Sequence, residues 1–312
     1  MSYSNIISRT DAQATIPEDV ANGIISNMPK QSAAMTLFRR ATMATNQQRM
    51  PVLAALPVAY FVNGDTGLKQ TTEMNWSNKY LNVEEIACIV PIPENVLDDS
   101  SFDIWAEVQP RIEEAVGRTL DAAVFFGVNK PTSWPGDIAA SAVAAGNVVA
   151  RGTNNAAAGG IATDISDTMG TVETDGFDVN GFVTSRSYRR FLRNARDTQG
   201  QKLLDIALNT IEGEPVSYAL NGLWPTGASV AELFAGDWMQ FILAVRKDMT
   251  YKLLTEAVIQ DNTGAIVYNL AQQDMVAMRL TFRAAWQVSN NITYDQPTEA
   301  SRYPVGVLRS PA

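Results

Sequence analysis

The chain predicts an α+β fold, and three features of its sequence carry that prediction. A period of two ends at residue 92, and a long helical period follows it closely. Two β-rich stretches bracket a dense turn at residues 63–67. Between residues 164 and 258 short strands alternate with short helices, the pattern of a compact α/β lobe.

Taken in order, residues 1–14 are polar and without period, the composition of an arm that orders only against a partner, if at all. Ile16-Pro17-Glu18-Asp19 opens a short helix to about Met28, stopped by Pro29, and Ser32 can cap a second through Phe38. Residues 50–62 are β-rich, and Pro51 and Pro57 suit edge strands. Asn63-Gly64-Asp65-Thr66-Gly67 turns the chain, and Met74 to Val83 returns as the second arm of a long hairpin. A two-stranded ribbon is marginal alone in water, so this one must rest on a neighbouring molecule. Its candidate contact residues are Tyr60, Phe61, Lys69 and Trp76, apolar or charged groups on an unsupported ribbon.

Ile86, Cys88, Val90 and Ile92 then alternate as in a strand, and Pro93-Glu94 begins a helix. Asp99 and Ser100 offer N-caps to the next one. From Ile104 the apolar row continues through Val108, Ile112, Val116, Leu120 and Val124, with Ala115 and Ala123 beside it, and Gly127 is the stop. Phe102 to Phe126 would span roughly 37 Å as a helix. Pro110 lies inside it and predicts a kink or break at Gln109. Residues 128–163, rich in Ala, Gly and Asn, read as loop and short strand anchored by Trp134. Asp164 caps a helix that carries Ile165, Met169 and Val172 on one side. Phe177 to Thr184 is a buried strand, and Ser187 opens a helix through Ala195. Strands over Trp238–Arg246 and Tyr251–Val258 complete the sheet of the lobe.

Composition excludes more than it identifies. The 312 residues, 46% hydrophobic and 18% charged, suit a soluble chain of one large or two modest domains. A net charge of -9, from 24 basic and 33 acidic side chains, argues against a protein whose main task is gripping phosphates. With no histidine, the commonest general base and metal ligand are missing. The single Cys88 excludes an intrachain disulfide and reads as a small buried hydrophobe. There is no phosphate loop, dinucleotide fingerprint, paired-cysteine motif or nucleophile elbow, so no cofactor is implied. Asp261-Asn262-Thr263-Gly264 begins like a calcium loop but lacks the closing Glu, which leaves a hairpin turn. A hydrolase built on Asp98 and Asp99 is weaker than a capped junction there. No run reaches the ~18 apolar residues of a membrane helix, and the N-terminus lacks a basic-then-apolar signal. No membrane partner is expected, and synthesis in a cytoplasm follows.

One resemblance covers residues from about Thr15 to Leu308. Ile92-Pro93-Glu94-Asn95-Val96-Leu97-Asp98-Asp99-Ser100, followed by Asp121-Ala122-Ala123-Val124-Phe125-Phe126-Gly127, resembles the strand-to-spine junction and spine-helix end of tailed-bacteriophage major capsid proteins, the Hong Kong 97 type. Pro131 to Ile138, Asp197 to Leu204, Gly213-Glu214-Pro215-Val216, Gly236-Asp237-Trp238, and Asp274 to Arg279 with Arg283 follow at the distances of that family. The resemblance implies an N-terminal arm at 1–34, the start of a peripheral domain at 35–50, and an extended loop at 51–83 that lies across the adjacent subunit. It implies the peripheral domain with its spine helix at 84–135, an axial domain at 136–268, the long peripheral strand at 269–292 and a return to the axial domain at 293–312.

The implied work is mechanical: hexamers and pentamers of this chain close an icosahedral shell around double-stranded DNA without binding it specifically. A separate scaffolding protein, or a coding sequence already trimmed, is implied because the landmarks begin by Thr15; a portal and decoration proteins are the other expected partners. An encapsulin-like compartment, which shares the fold but loads an enzyme, is the alternative, and a tail or adaptor oligomer is a further one. Arg186, Arg189, Arg190, Arg193 and Arg196 form the most basic segment. Arg189 and Arg193 are candidate contacts, with a solvated face or an acidic neighbouring subunit read before packaged DNA. Arg39-Arg40 is read first as helix-dipole complement and second as a DNA contact. Some relatives cross-link a loop lysine to an asparagine beside a catalytic glutamate. Lys69 is the best-placed lysine, but with Arg283 as the late arginine those positions fall near Asp274 and Thr281. No cross-linking is therefore expected: denatured particles should give a single-mass band in gel electrophoresis, and a ladder would overturn the expectation.

Overall fold

The computed structural model describes residues 32–62, 68–69, 71–99, 104–196, 201, 209–219 and 222–311. The expected arm and first helix, the turn at 63–67 and the Asp197 to Leu204 landmark lie wholly or mostly outside them. The chain divides into two compact units, one containing Glu85–Val116 and Lys247–Arg283, the other Gln31–Glu84, Gly117–Arg246 and Ala284–Ala312.

The larger unit is organised by a six-stranded sheet. Its strands are β5 (Val148–Ala150), β6 (Phe182–Thr184), β7 (Thr210–Ile211), β8 (Glu214–Tyr218), β9 (Ala231–Gly236) and β14 (Val305–Arg309). The order is β5-β14-β9-β6-β8-β7. β14 pairs parallel with β5 and antiparallel with β9, so a strand from the end of the chain sits inside the sheet. Helix α5 (Ile161–Thr174) packs on β14, β5 and β9. It approaches so closely that a Cβ on Gly306 would stand 2.6 Å from the Thr168 carbonyl oxygen. Ile165 of α5, Leu192 of α6 (Arg189–Arg193), Phe182, Val216, Leu233 and Leu308 share one core cluster.

A second core gathers the aromatic side chains. Trp238, in a 3-10 turn at Trp238–Gln240, lies 6.1 Å from Phe38, 6.0 Å from Phe125 and 5.7 Å from Phe241, ring centre to ring centre. Phe38 follows α1 (Ala33–Leu37), whose N-cap is Ser32, as the sequence predicts. β1 (Arg39–Thr42) then pairs parallel with the start of β10 (Phe241–Leu254).

In the smaller unit lie most of β4 (Glu84–Pro93), helix α2 (Glu94–Asp99), and a ribbon of β11 (Val258–Gln260) and β12 (Ile266–Asn269). Its core cluster is Leu270, Met275 and Ala277, with Leu254, Ala257 and Ile259 packed against it. The turn between β11 and β12 is the expected one: the Asp261 carboxylate accepts from the backbone of Thr263 and Ala265. β13 (Met275–Val288) is the expected late strand, and a four-stranded sheet has the order β1-β10-β13-β4.

The spine helix α3 runs unbroken from Ile104 to Phe126, and Gly127 ends it at φ +67°. Of the kink or break expected at Gln109, the break does not occur: Pro110 sits in the second turn and the helix continues through it. Ile112, Val116, Leu120 and Val124 are buried as expected, but Ala115 is exposed, while Glu113 and Asp121 are buried beside the stripe. Asp99 is the last residue of α2, and Ser100, the other cap expected there, lies outside the described residues.

Other expectations change in the lobe. Residues 138–145 form helix α4, capped by the Asp137 carboxylate on Ala140 N–H and ended by Gly146 at φ +94°. The expected cap Asp164 lies within the first turn of α5, where its buried carboxylate accepts from Gly152 and Asn154 backbone N–H groups. Ser185, two residues before the expected Ser187, accepts from Tyr188 N–H. The strand expected over Phe177–Thr184 is limited to β6. The two strands expected at 238–258 are one, β10, and it belongs to the four-stranded sheet; β9 and β14 build the lobe's sheet in their place.

Candidate functional site

The hairpin is where the sequence puts it, though its strands are shorter. β2 (Gln47–Leu53) and β3 (Trp76–Asn82) pair antiparallel from Gln47↔Asn82 to Leu53↔Trp76. Alternation along each strand points one side chain inward fully: Val52 on β2 and Leu81 on β3 are the buried ones. Beyond Leu53 regular pairing ends, and Ala54 and Ala55 N–H both donate to the Asn75 carbonyl. The β-rich reading of residues 54–62 therefore overestimates the strand. Among the residues singled out, Tyr60 is 41% exposed, Phe61 wholly exposed and Trp76 64% exposed, with Val58 and Leu68 nearby also exposed. Lys69 is exposed as well. Apolar surface is thus concentrated on a ribbon that buries little of itself.

The base of the ribbon is pinned by contacts that sequence reasoning did not find. Lys79 Nζ lies 3.0 Å from Glu299 Oε1. Gln287 Nε2 donates to the Tyr80 carbonyl at 3.0 Å, and Trp134 Nε1 donates to the Asn82 carbonyl at 3.1 Å. Tyr294 OH donates to the Pro57 carbonyl at 2.9 Å. The partners are 52 to 237 positions apart in the last three cases and 220 in the first, so no local signal could have shown them. A cleft of about 580 Å³ opens among Lys79, Tyr80, Trp134, Gln287 and Glu299.

The arginine segment forms the second surface. Arg186, Arg189, Arg190, Arg193 and Arg196 are all exposed. The Arg189 guanidinium stands 5.3 Å from the Tyr218 ring centre and donates to Asn209 Oδ1 at 3.3 Å. Arg190 and Arg151 lie 4.9 and 4.3 Å from the centre of the Phe191 ring. Arg151 is bound to Glu232 at 2.6 Å, a hydrogen bond that raises its pKa beyond the ordinary arginine value. Stacking on rings holds guanidinium planes without consuming all their donors.

Buried carboxylates serve the frame. Asp121 of α3 accepts from Ser32 Oγ–H at 2.7 Å and from the N–H groups of Ala33 and Ala34 at 2.9 and 3.1 Å, so it caps α1 from across the unit. Burial pushes its carboxyl up to about 6 despite those bonds. Asp175 accepts from Asn147 Nδ2 at 2.7 Å and Tyr303 N–H at 2.9 Å, tying β14's approach to the end of α5. Cys88 is half-buried in β4. Among the described residues no three His, Cys, Asp or Glu side chains gather to hold a metal, and no helix is long and apolar enough to cross a membrane.

Comparison with known proteins agrees with this geometry. The model of the phage capsid family matches residues 12–291. A major capsid protein of Staphylococcus phage 80alpha is 22% identical over 301 residues, 96% of this chain and 89% of that protein. A solved chain from Microbacterium phage Oxtober96 is 39% identical with a TM-score of 0.79, covering 98% of this chain and 100% of the other. One from Mycobacterium phage Adephagia is 29% identical with the same TM-score and 99% coverage of both. Sequence and structure thus agree over nearly the whole length, and the chain belongs to the phage capsid family, with the Hong Kong 97-type fold of a tailed-phage major capsid protein.

Proposed function

We propose that this chain assembles as hexamers and pentamers into an icosahedral head enclosing double-stranded DNA, and that the hairpin is its principal docking element. A separate scaffolding protein, a portal and decoration proteins are the partners in this reading, with assembly in the host cytoplasm. The observation that supports it best is the ribbon: Phe61 and Trp76 stand in solvent on an element with two fully buried strand side chains. Large apolar groups so placed lower the free energy only when another surface covers them. The task proposed is mechanical, and the enclosed DNA is held by the shell without specific recognition, in keeping with the net charge of -9.

Negative-stain electron microscopy and solution mass, on protein expressed with and without its neighbouring genes, test this directly. Closed shells are expected; a monomer that never assembles, even with a scaffolding protein supplied, would overturn the proposal. DNA in particles from infected cells separates a virion from an enzyme-loading compartment. Replacing Phe61 and Trp76 together by Ser should abolish shells while leaving the melting temperature of the subunit nearly unchanged. Normal shell yield from that variant would remove the hairpin from the contact set.

A further inference from the structure

Part of the lobe's charge falls into two consecutive blocks of sequence, although Glu212 and Glu214 also lie at the β7–β8 edge. From Gly152 to Ser185 the sequence holds Asp164, Asp167, Glu173, Asp175 and Asp178 and no lysine or arginine; the next eleven residues hold five arginines and no acid. Leu192 and Ile165 share one core cluster, so α6 and α5 adjoin, but Arg189 and the acidic groups of α5 lie over different strands. Arg189 lies over Tyr218 of β8 and bonds Asn209 beside β7, at one edge. Helix α5 covers β14, β5 and β9, toward the other edge, with Asp167 and Glu173 exposed on it and Asp178 exposed just beyond. Among the described residues, no carboxylate is paired with Arg186, Arg189, Arg190 or Arg193.

We propose that the arginine surface of one subunit docks on the acidic α5 surface of a second copy, a head-to-tail contact repeated around a ring. This deepens the shell reading and rests on it. Two different patches on one chain make a heterologous contact, which closes into a ring when the rotation permits. The occupant is a second copy because both halves of the complementary pair are on this chain. Outside the five arginines it keeps 19 of its 24 basic residues against all 33 acidic ones, so every neighbour supplies carboxylates, whereas a nucleic acid would meet a predominantly acidic molecule. Stacked guanidinium groups with free donors suit bidentate capture of carboxylates. Such charges fix register and encounter rate more than they add affinity, so reversing them should act on assembly and not on folding.

The same chain carries both surfaces, which permits a charge swap. Asp167 already accepts from Asn154 Nδ2, so Glu173 and Asp178 are the acidic sites to change. The variant R189E/R193E and the variant E173K/D178K should each lower shell yield by roughly tenfold or more, as like charges then face each other. The four-site variant R189E/R193E/E173K/D178K should recover most of the loss. Melting curves by circular dichroism should coincide for all four proteins, since every site is exposed; a variant that melts early is replaced by its Gln counterpart, for which a milder loss of yield is expected. A four-site variant as defective as either pair would overturn the contact. So would R189E/R193E shells that form normally but package less DNA, which would assign the arginines to nucleic acid. The unchanged chain, assembled alongside, reports on the shell reading separately: that reading fails in the unchanged chain, and this contact fails in the variants alone.

Discussion

Replacing Trp238 by alanine is expected to lower the unfolding free energy by about 3–5 kcal/mol, the range for removing a large aromatic side chain from a packed core. The indole is 1% exposed and meets Phe38, Phe125 and Phe241 with ring centres 5.7 to 6.1 Å away. Those rings come from α1's C-terminal side, the end of α3 and the start of β10, so the hole would loosen three elements together. Its Nε1–H also donates to the Gly181 carbonyl at 2.9 Å, and Gly181 has room for no Cβ without crowding the indole, which would lie 3.2 Å away. Trp238→Phe should therefore fall between the wild type and alanine, refilling much of the volume but leaving the carbonyl unpaired. With total stability typically ~5–15 kcal/mol, the alanine variant is expected to be largely insoluble at 37 °C. Urea unfolding of soluble subunits at 15 °C measures the difference, and a loss below ~1 kcal/mol would show that the aromatic cluster is not the keystone it looks to be.

The second large effect is expected at Asp121. Removing its carboxylate leaves Ser32 Oγ–H and the N–H groups of Ala33 and Ala34 without acceptors in a buried site. At ~1–3 kcal/mol for each buried donor left unpaired, offset by relief of a buried charge, Asp121→Ala should cost about 2–4 kcal/mol near pH 7. Asp121→Asn should do little better, because its amide nitrogen would face one of the donors. The pH dependence has a definite sign. The folded carboxyl titrates near 6, above its ordinary value of 3.8, so the folded state holds this proton more tightly than the unfolded state. Its contribution to stability is fully present below about pH 4 and is lost as pH rises through 6, a change on the order of 3 kcal/mol. Unfolding curves at pH 4, 5, 6 and 7 should show that wild type loses stability relative to Asp121→Ala across this window. Parallel pH profiles would mean that the hydrogen bonds offset the burial.

Local signals carried much of the fold. Ser32 before a helix, Gly127 after one, the alternation of Ile86 to Ile92 and the Asp261 turn all state their structure within a few residues. Helix α4 had such signals too, Asp137 and Gly146 around an Ala-rich run, but the small side chains gave no amphipathic stripe to read. Pro110 misled because a proline only six residues into a helix removes a single hydrogen bond near its start, and the buried stripe from Ile112 to Val124 holds the turns that follow. Pairing was the less legible part. Nothing near residue 241 tells that β10 joins the four-stranded sheet, or that β14 reaches the lobe's interior from about 70 residues beyond β9. On the ribbon, the exposure of Phe61 and Trp76 followed from its poverty of core. The pins of Lys79 on Glu299 and Tyr294 on Pro57 did not, because a contact made by tertiary folding leaves no trace in sequence spacing.

The position of β14 has a consequence for the order of events during synthesis. β5 lies beside β14 at the sheet edge, and its ladder partner is β14. While the ribosome is still making the chain, the first 300 residues hold β5 without its neighbour and leave one side of β9 open. Contacts this distant in sequence form late. The sheet of the lobe therefore closes only after residue 309 has emerged, and any shorter nascent chain holds β5 and one side of β9 without their ladder partner.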